Sequence, residues 1–311
     1  MISKTITLTN TTNYGRYLPS KAFGSVLKAL PDAIRQSVRM AFEGRSRSRR
    51  KRPDWLRAAT DIRFLGHDGT DQTNLHFEIP SLGDAAPKLY KQRELWPTRP
   101  AAEDTGFDIL GDVLTDVAAQ NTDSDRFDRP LLDVIAGFRK VFNGTFTGMT
   151  WTRRNDTSNP VSLTPSIAET ARTLFTNTPQ PQRVRIVGKL DMVRASTSSF
   201  AVILDGGVEV RGVLSEGEIG SMPALNQRVL VLGKAIYRPS GKLLRLDAEE
   251  VTATDDTNSF FSTVPKPIRK KFDLRETIRD QQHKLGIAAI FGKWPGDETD
   301  AQVETALKEL H

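Results

Sequence analysis

Apolar residues recur along this chain with two different periods, and the switches between them mark out its elements. Near the start, Thr5-Ile6-Thr7-Leu8-Thr9 alternates at period two, the spacing of an edge strand. Residues 21–30 then place Phe23, Val26, Leu27 and Leu30 on one helical face, and residues 32–42 repeat this with Ile34, Val38 and Phe42, predicting two helices. Period two returns at 61–65 and 74–79 around an Asp68-Gly69 turn, predicting a hairpin with Leu75, Phe77 and Ile79 facing the core. A further helix fits 85–95, and Trp96-Pro97-Thr98-Arg99-Pro100 breaks it and places a domain boundary there.

Helical spacing governs the next stretch. Phe107, Leu110, Leu114 and Val117 share a face within 104–119, and Leu131, Ile135, Phe138 and Phe142 do so within 129–142. Residues 143–182, rich in Thr, Asn and Pro, read as a linker or a peripheral strand pair. Five strand-like runs follow at 183–194, 199–205, 208–214, 228–238 and 242–251, with a short helical insert at 216–224. Turns fall at Asp205-Gly206-Gly207 and Pro239-Ser240-Gly241. In the first run Val184, Ile186, Leu190 and Met192 share one side, and Arg185, Lys189 and Asp191 the other. Beyond a basic connector, Asp273-x-x-Glu276 opens a helix with a capping box, and Trp294-Pro295-Gly296-Asp297 turns the chain into a second one. The expectation is a multidomain α+β chain: a basic α/β domain at 1–100, a helical segment and linker at 101–182, a β-barrel at 183–251, and a linker with an α-helical tail at 252–311.

A length of 311 residues agrees with two or three domains, each large enough for its own core. The absence of cysteine excludes disulfides, thiolate metal sites and cysteine nucleophiles, and fits a reducing compartment. The first residues lack the apolar stretch of a signal peptide, and no apolar run approaches the ~18 residues of a membrane span. The reading is a cytoplasmic protein without membrane contact. Net charge is +6, and the basic excess belongs to the first hundred residues, whereas acidic residues prevail over 101–182. Such asymmetry points to a polyanionic partner.

The candidate chemistry is that of binding. Arg45, Arg47, Arg49, Arg50, Lys51 and Arg52 form a run without an apolar face, able to displace counterions from several phosphates or to serve as a solvated loop. Trp55 beside it could stack on a base or anchor a helix. In the barrel, Arg185, Lys189, Arg211 and Arg245 could track a phosphate backbone, although exposed aromatics for stacking are scarce. Asp104, Asp108, Asp112 and Asp116 recur every four residues and would line one helical stripe, read as a solvated face, with a divalent-metal site or a surface for a basic partner as the alternatives. His76-Phe77-Glu78 carries an H-x-E fragment without the cysteines a zinc deaminase needs, and no phosphate loop, dinucleotide fingerprint or nucleophile elbow occurs. No catalytic residue, metal ligand or cofactor is assigned.

The order strand, strand, strand, helix, strand, strand over 183–251 resembles an OB-fold, a five-stranded Greek-key barrel, and that resemblance implies an oligonucleotide-binding surface. The segment from Phe291 to Leu310 resembles the toxin-wrapping C-terminal tails of some bacterial antitoxins, and it implies a protein partner, a toxin in that family, docked through Ile290, Phe291, Trp294, Leu307 and Leu310; the alternative is that both tail helices pack on the barrel in cis. Together these imply a non-enzymatic accessory or antitoxin-like component of a bacterial toxin–antitoxin or defence system, contacting DNA or RNA through its basic segments. The alternatives are a nucleic-acid-binding protein with no toxin partner, and a metal-dependent enzyme built on the aspartate stripe.

Overall fold

The computed structural model describes residues 1–267 except 11, 13, 15, 16, 70, 71, 91–99, 143, 215–221 and 256–260. The tail segment with Ile290, Phe291, Trp294, Leu307 and Leu310, and most of the insert expected at 216–224, lie outside the described residues.

The first module is an antiparallel sheet with helices on one face. In chain order it comprises β1 (Ile2–Asn10), α1 (Ser20–Glu43), α2 (Asp54–Ala59), β2 (Arg63–Asp68), β3 (Thr73–Ile79) and two single turns, α3 (Leu82–Ala85) and α4 (Pro87–Tyr90). It continues through α5 (Gly106–Ala118), α6 (Arg129–Ala136), a 3-10 turn at Gly137–Lys140, β4 (Phe146–Arg153), β5 (Asp156–Leu163) and α7 (Pro165–Asn177). The strands run in the order β2-β3-β1-β4-β5, all pairs antiparallel.

Alternation gives the sheet two unlike faces. Ile6, Leu8, Leu75, Phe77, Ile79, Met149 and Trp151 point inward and join Val26, Leu30, Ile34, Phe107, Leu110, Leu131 and Leu174 in one core. That core draws on residues from both sides of position 100. The stretch read as a linker or strand pair supplies β4, β5 and α7.

Two local expectations are corrected. The first strand is the centre of the sheet rather than an edge, because β4 pairs with its free side from more than a hundred residues away. The two helices expected at 21–30 and 32–42 are one helix, with Pro31 inside it. An interior proline costs about 3 kcal/mol in an isolated helix. Here the residues after it, from Ala33 to Phe42, are buried on several sides, and tertiary packing offsets that cost. Gly44 ends α1 in the left-handed region at φ 68°, its N–H donating to the Met40 carbonyl, and the basic run begins there.

The second module is a closed five-stranded mixed barrel, compatible with the OB-like order expected above. Its strands are β6 (Gln182–Arg194), β7 (Ser199–Ile203), β8 (Glu209–Leu214), β9 (Arg228–Tyr237) and β10 (Leu243–Ala253). They run in the order β10-β8-β7-β6-β9, and the β9–β10 pair closes the barrel; the β8–β10 pair alone is parallel. Ile186, Leu190, Phe200, Val202, Val210, Val231 and Leu246 fill the interior. Gly212 on β8 faces the Phe200 ring so closely that a Cβ would overlap it, which explains the glycine on the inward side of that strand.

Both modules belong to the compact unit Met1–Pro267, and the β9–β10 hairpin fastens them. At its turn, Ser240 N–H donates to the Thr122 carbonyl at 3.1 Å. Lys242 Nζ pairs with Asp123 at 2.6 Å, and Arg238 pairs with Asp125. On β10, Arg245 enters the junction with its side chain 7 % exposed and meets Asp128, whose side chain is 0 % exposed. Asp128 Oδ1 and Oδ2 accept from the Leu131 N–H that opens α6, from the Ser46 N–H and hydroxyl at the head of the basic run, and from Arg245 Nη2 at 3.0 Å. One carboxylate thus joins a helix cap, the basic run and the barrel.

Candidate nucleic-acid interface

The basic run leaves the end of α1 and crosses toward the barrel, so its cations meet two environments. Arg45 is 5 % exposed, and its Nε donates to Glu43 Oε2 at 3.1 Å. Arg39, one helical turn before Glu43 and 6 % exposed, places Nε 3.6 Å from the same oxygen, beyond hydrogen-bond reach. Two buried guanidinium groups therefore share one carboxylate. Arg47 Nε donates to Gln36 Oε1 at 3.3 Å, Gln36 donates to Asp32 at 2.9 Å, and Arg35 pairs with Asp32. Arg49, Lys51 and Arg52 are exposed. Arg50 Nη1 donates to Ser198 Oγ at 3.1 Å, reaching the β6–β7 turn of the barrel.

Between these groups lies a crevice of about 140 Å³ whose lining includes Arg39, Glu43, Arg45, Arg50, Lys51, Trp55 and residues 196–198. Burial pushes the Arg35 guanidinium pKa down, and repulsion from Arg52, Arg39 and Arg47 adds to the shift. Burial also lowers that of Arg39, against the pull of Glu43, with Arg45 and Arg52 repelling it further. The crevice lining itself carries Arg39, Arg45, Arg50 and Lys51 against one carboxylate, Glu43, and a cationic excess of this kind concentrates anions. Trp55 is half-buried, its ring centroid 5.2 Å from that of Phe42 at 56°, so it anchors α2 and lines the crevice at once. Ser198 holds φ at 52°, an uncommon conformation for a residue other than glycine, while its carbonyl accepts from Leu214 N–H at 2.9 Å and its hydroxyl accepts from Arg50.

The barrel candidates separate. Arg185 and Lys189 share the outward face of β6, with the Arg185 guanidinium 4.8 Å from the centre of the Phe261 ring. Arg211 is exposed on β8, its Nε 3.0 Å from Glu209 Oε1. Arg245 faces the junction and is committed to Asp128 and Asp247, the latter at 2.7 Å. Arg45 and Arg245 are both buried, and each is paired with a carboxylate, Glu43 and Asp128. Arg39 and residues 196–198 escaped the sequence reading. The first hides among the apolar positions of an amphipathic helix, and the second had no signal beyond a polar turn.

The aspartate stripe is corrected from a solvated face to a set of internal fasteners. Asp104 takes Arg154 Nε at 2.9 Å, and Asp108 takes Lys4 Nζ at 2.9 Å and the Arg154 N–H at 2.7 Å. Asp112 takes Arg153 Nη1 at 2.9 Å, and Asp116 takes Arg126 Nη1 at 3.0 Å. Asp104 and Asp108 are buried. The helix is thereby held to β1 and to the β4–β5 hairpin. Among the described residues no group of His, Asp or Glu side chains gathers in a metal-holding arrangement. His76 stands on the open sheet face, its Nδ1 3.2 Å from Thr5 Oγ1 and its Nε2 3.0 Å from Asp68 Oδ2. None of these three lines the crevice. No described helix is long and apolar enough to cross a membrane.

No protein-family model matches the chain, and no curated protein matches it.

Proposed function

We propose that this chain binds nucleic acid, gripping the phosphate backbone of a single strand in the crevice between the basic run and the barrel. The observation that carries the reading is the crowding of Arg39, Arg45, Arg50 and Lys51 around a crevice whose walls offer one carboxylate, Glu43. Two features support it. The barrel beside the crevice has the connectivity of an OB-like module, with first strand beside second, second beside third, third parallel to fifth, and fourth closing onto first, a fold often used for oligonucleotides. Trp55, in the lining, supplies an aromatic surface on which an unpaired base could stack. The accessory or antitoxin-like role read from the tail rests on residues outside those described, and no contact among the described residues favours it.

The test is fluorescence anisotropy with labelled single-stranded DNA and RNA over a series of salt concentrations. Replacing Arg49, Arg50, Lys51 and Arg52 together by glutamine should weaken binding and reduce the slope of log K against log [salt] by about 0.7 for each single-strand phosphate that the four cations neutralise. An unchanged affinity and slope would refute the proposal.

A further inference from the structure

A second cavity, of about 200 Å³, lies where the start of α6 meets β9 and β10, with Arg47 of the basic run in its lining. Its charged lining consists of Arg47, Arg129, Lys234 and Arg245 against Asp128 and Asp247, an excess of two positive charges within the lining; outside it, Lys234 Nζ lies 3.8 Å from Glu249, a carboxylate that Arg183 holds more closely at 3.0 Å. Both carboxylates already serve Arg245, through Nη2 and Nε. Arg245 Nη1 and Arg129 Nε are buried donors without a hydrogen-bond partner. The Arg129 guanidinium carbon lies over the Phe175 ring, 3.9 Å from its centre. Buried donors left unmet are costly, and native structures almost always supply a partner for them. Water could accept one such bond, but it would leave the charge excess uncompensated.

From this we infer that the cavity binds a small tetrahedral oxyanion, a phosphate or the phosphate end of a phosphomonoester. A dianion matches the charge excess, and its several oxygens can accept from guanidinium groups in parallel. Pro130, Pro179 and Ile236 form an apolar wall that keeps the local dielectric low and strengthens those bonds. The volume falls below the ~300 Å³ at which sites for drug-sized ligands begin, so the ligand is an ion or a group on a short stem. This site does not depend on the strand-binding crevice. It stands on different side chains, and neither Arg129 nor Lys234 lines that crevice.

The experiment titrates the full chain with inorganic phosphate by isothermal calorimetry, with sodium chloride at matched ionic strength as the blank. Saturable phosphate binding is expected, and Arg129→Gln or Lys234→Gln, both at partly exposed positions, should each weaken it about tenfold. Arg57→Gln, at an exposed position on α2 outside the cavity lining, should leave it unchanged. Two sources of the phosphate are separated by competition: a 5′-phosphorylated tetranucleotide that displaces inorganic phosphate where its 5′-hydroxyl counterpart does not identifies a nucleic-acid end, and equal failure of both identifies a free small phosphate. A heat indistinguishable from the chloride blank, or full-strength binding by both glutamine variants, overturns the inference.

Discussion

Replacing Asp128 by alanine tests whether the junction is as cooperative as its geometry implies. The substitution removes the cap from the Leu131 N–H, and losing an aspartate cap costs about 1 kcal/mol. It also strips Arg245 of the fully buried partner at 3.0 Å, and breaking a buried pair costs about 3–5 kcal/mol. Asp247 remains 2.7 Å from Arg245 Nε, so the lower end of that range applies, and the total comes to about 4 kcal/mol. Asp128→Asn keeps one capping oxygen but puts an amide NH2 where the other oxygen accepts from Ser46 N–H and Arg245 Nη2, so it should be less costly than alanine only by the retained cap, about 1 kcal/mol. Urea unfolding, read by circular dichroism and by the fluorescence of Trp55 and Trp151, measures the effect. With a slope of about 3 kcal/mol per molar urea for a chain of this size, the alanine variant should lose about 1–1.5 M from its midpoint. In a background where Arg245 is already methionine, the same Asp128→Ala change should cost at least about 1 kcal/mol less, because the charge it abandons is gone. A loss below about 1 kcal/mol, or an equal loss in both backgrounds, would refute the reasoning.

Further tests address the interior of each module. Gly212→Ala should destabilise the barrel by about 1–3 kcal/mol, since the new methyl group overlaps Phe200 and the ring has the opposite wall behind it; thermal unfolding within a degree of the parent would contradict this packing. Burial raises the Asp108 carboxyl pKa, but bonds from Thr105, the Arg154 N–H and Lys4 outweigh it and hold the group below its ordinary 3.8. Its folded pKa being the lower one, Asp108 contributes stability that is present above about pH 4 and is lost as pH falls through the folded value. Urea midpoints measured from pH 5 downward should therefore fall less steeply in Asp108→Asn, and parallel profiles would count against the assignment.

The barrel was legible because its information is local. Period-two runs and glycine turns such as Asp205-Gly206-Gly207 encode strands without reference to distant segments, and Ile186, Leu190, Val210 and Val231 are buried as the alternation implies. The sheet of the first module was legible only in fragments. The placement of β1 at its centre depends on β4, and periodicity records which residues share a face but not which strand lies alongside. The continuity of α1 through Pro31 likewise depends on burial by other elements. Charge was the least legible feature. Arg45 and Arg49 differ little as sequence, yet one is buried against Glu43 and the other is exposed, and the partner of Arg245 lies 117 residues earlier in the chain. The aspartate stripe carried the same ambiguity: four carboxylates at helical spacing describe a wet surface and a zipper equally well until the opposing arginines are placed.

The junction at Asp128 sets an order of assembly during synthesis. Ser46 and the cap of α6 can engage Asp128 as soon as the sheet and its helices have formed, but Arg245 sits on the last strand of the barrel. The stretch from the end of α7 at Asn177 to Arg245 takes several seconds to emerge at about 5–20 residues per second, and throughout that interval the carboxylate holds only neutral donors. The crevice meanwhile lacks the barrel turn at 196–198 that belongs to its lining. A nascent chain thus carries its basic run before it has a pocket to put it in, and the charge becomes a shaped surface only when the hairpin that closes the barrel also locks the two modules together.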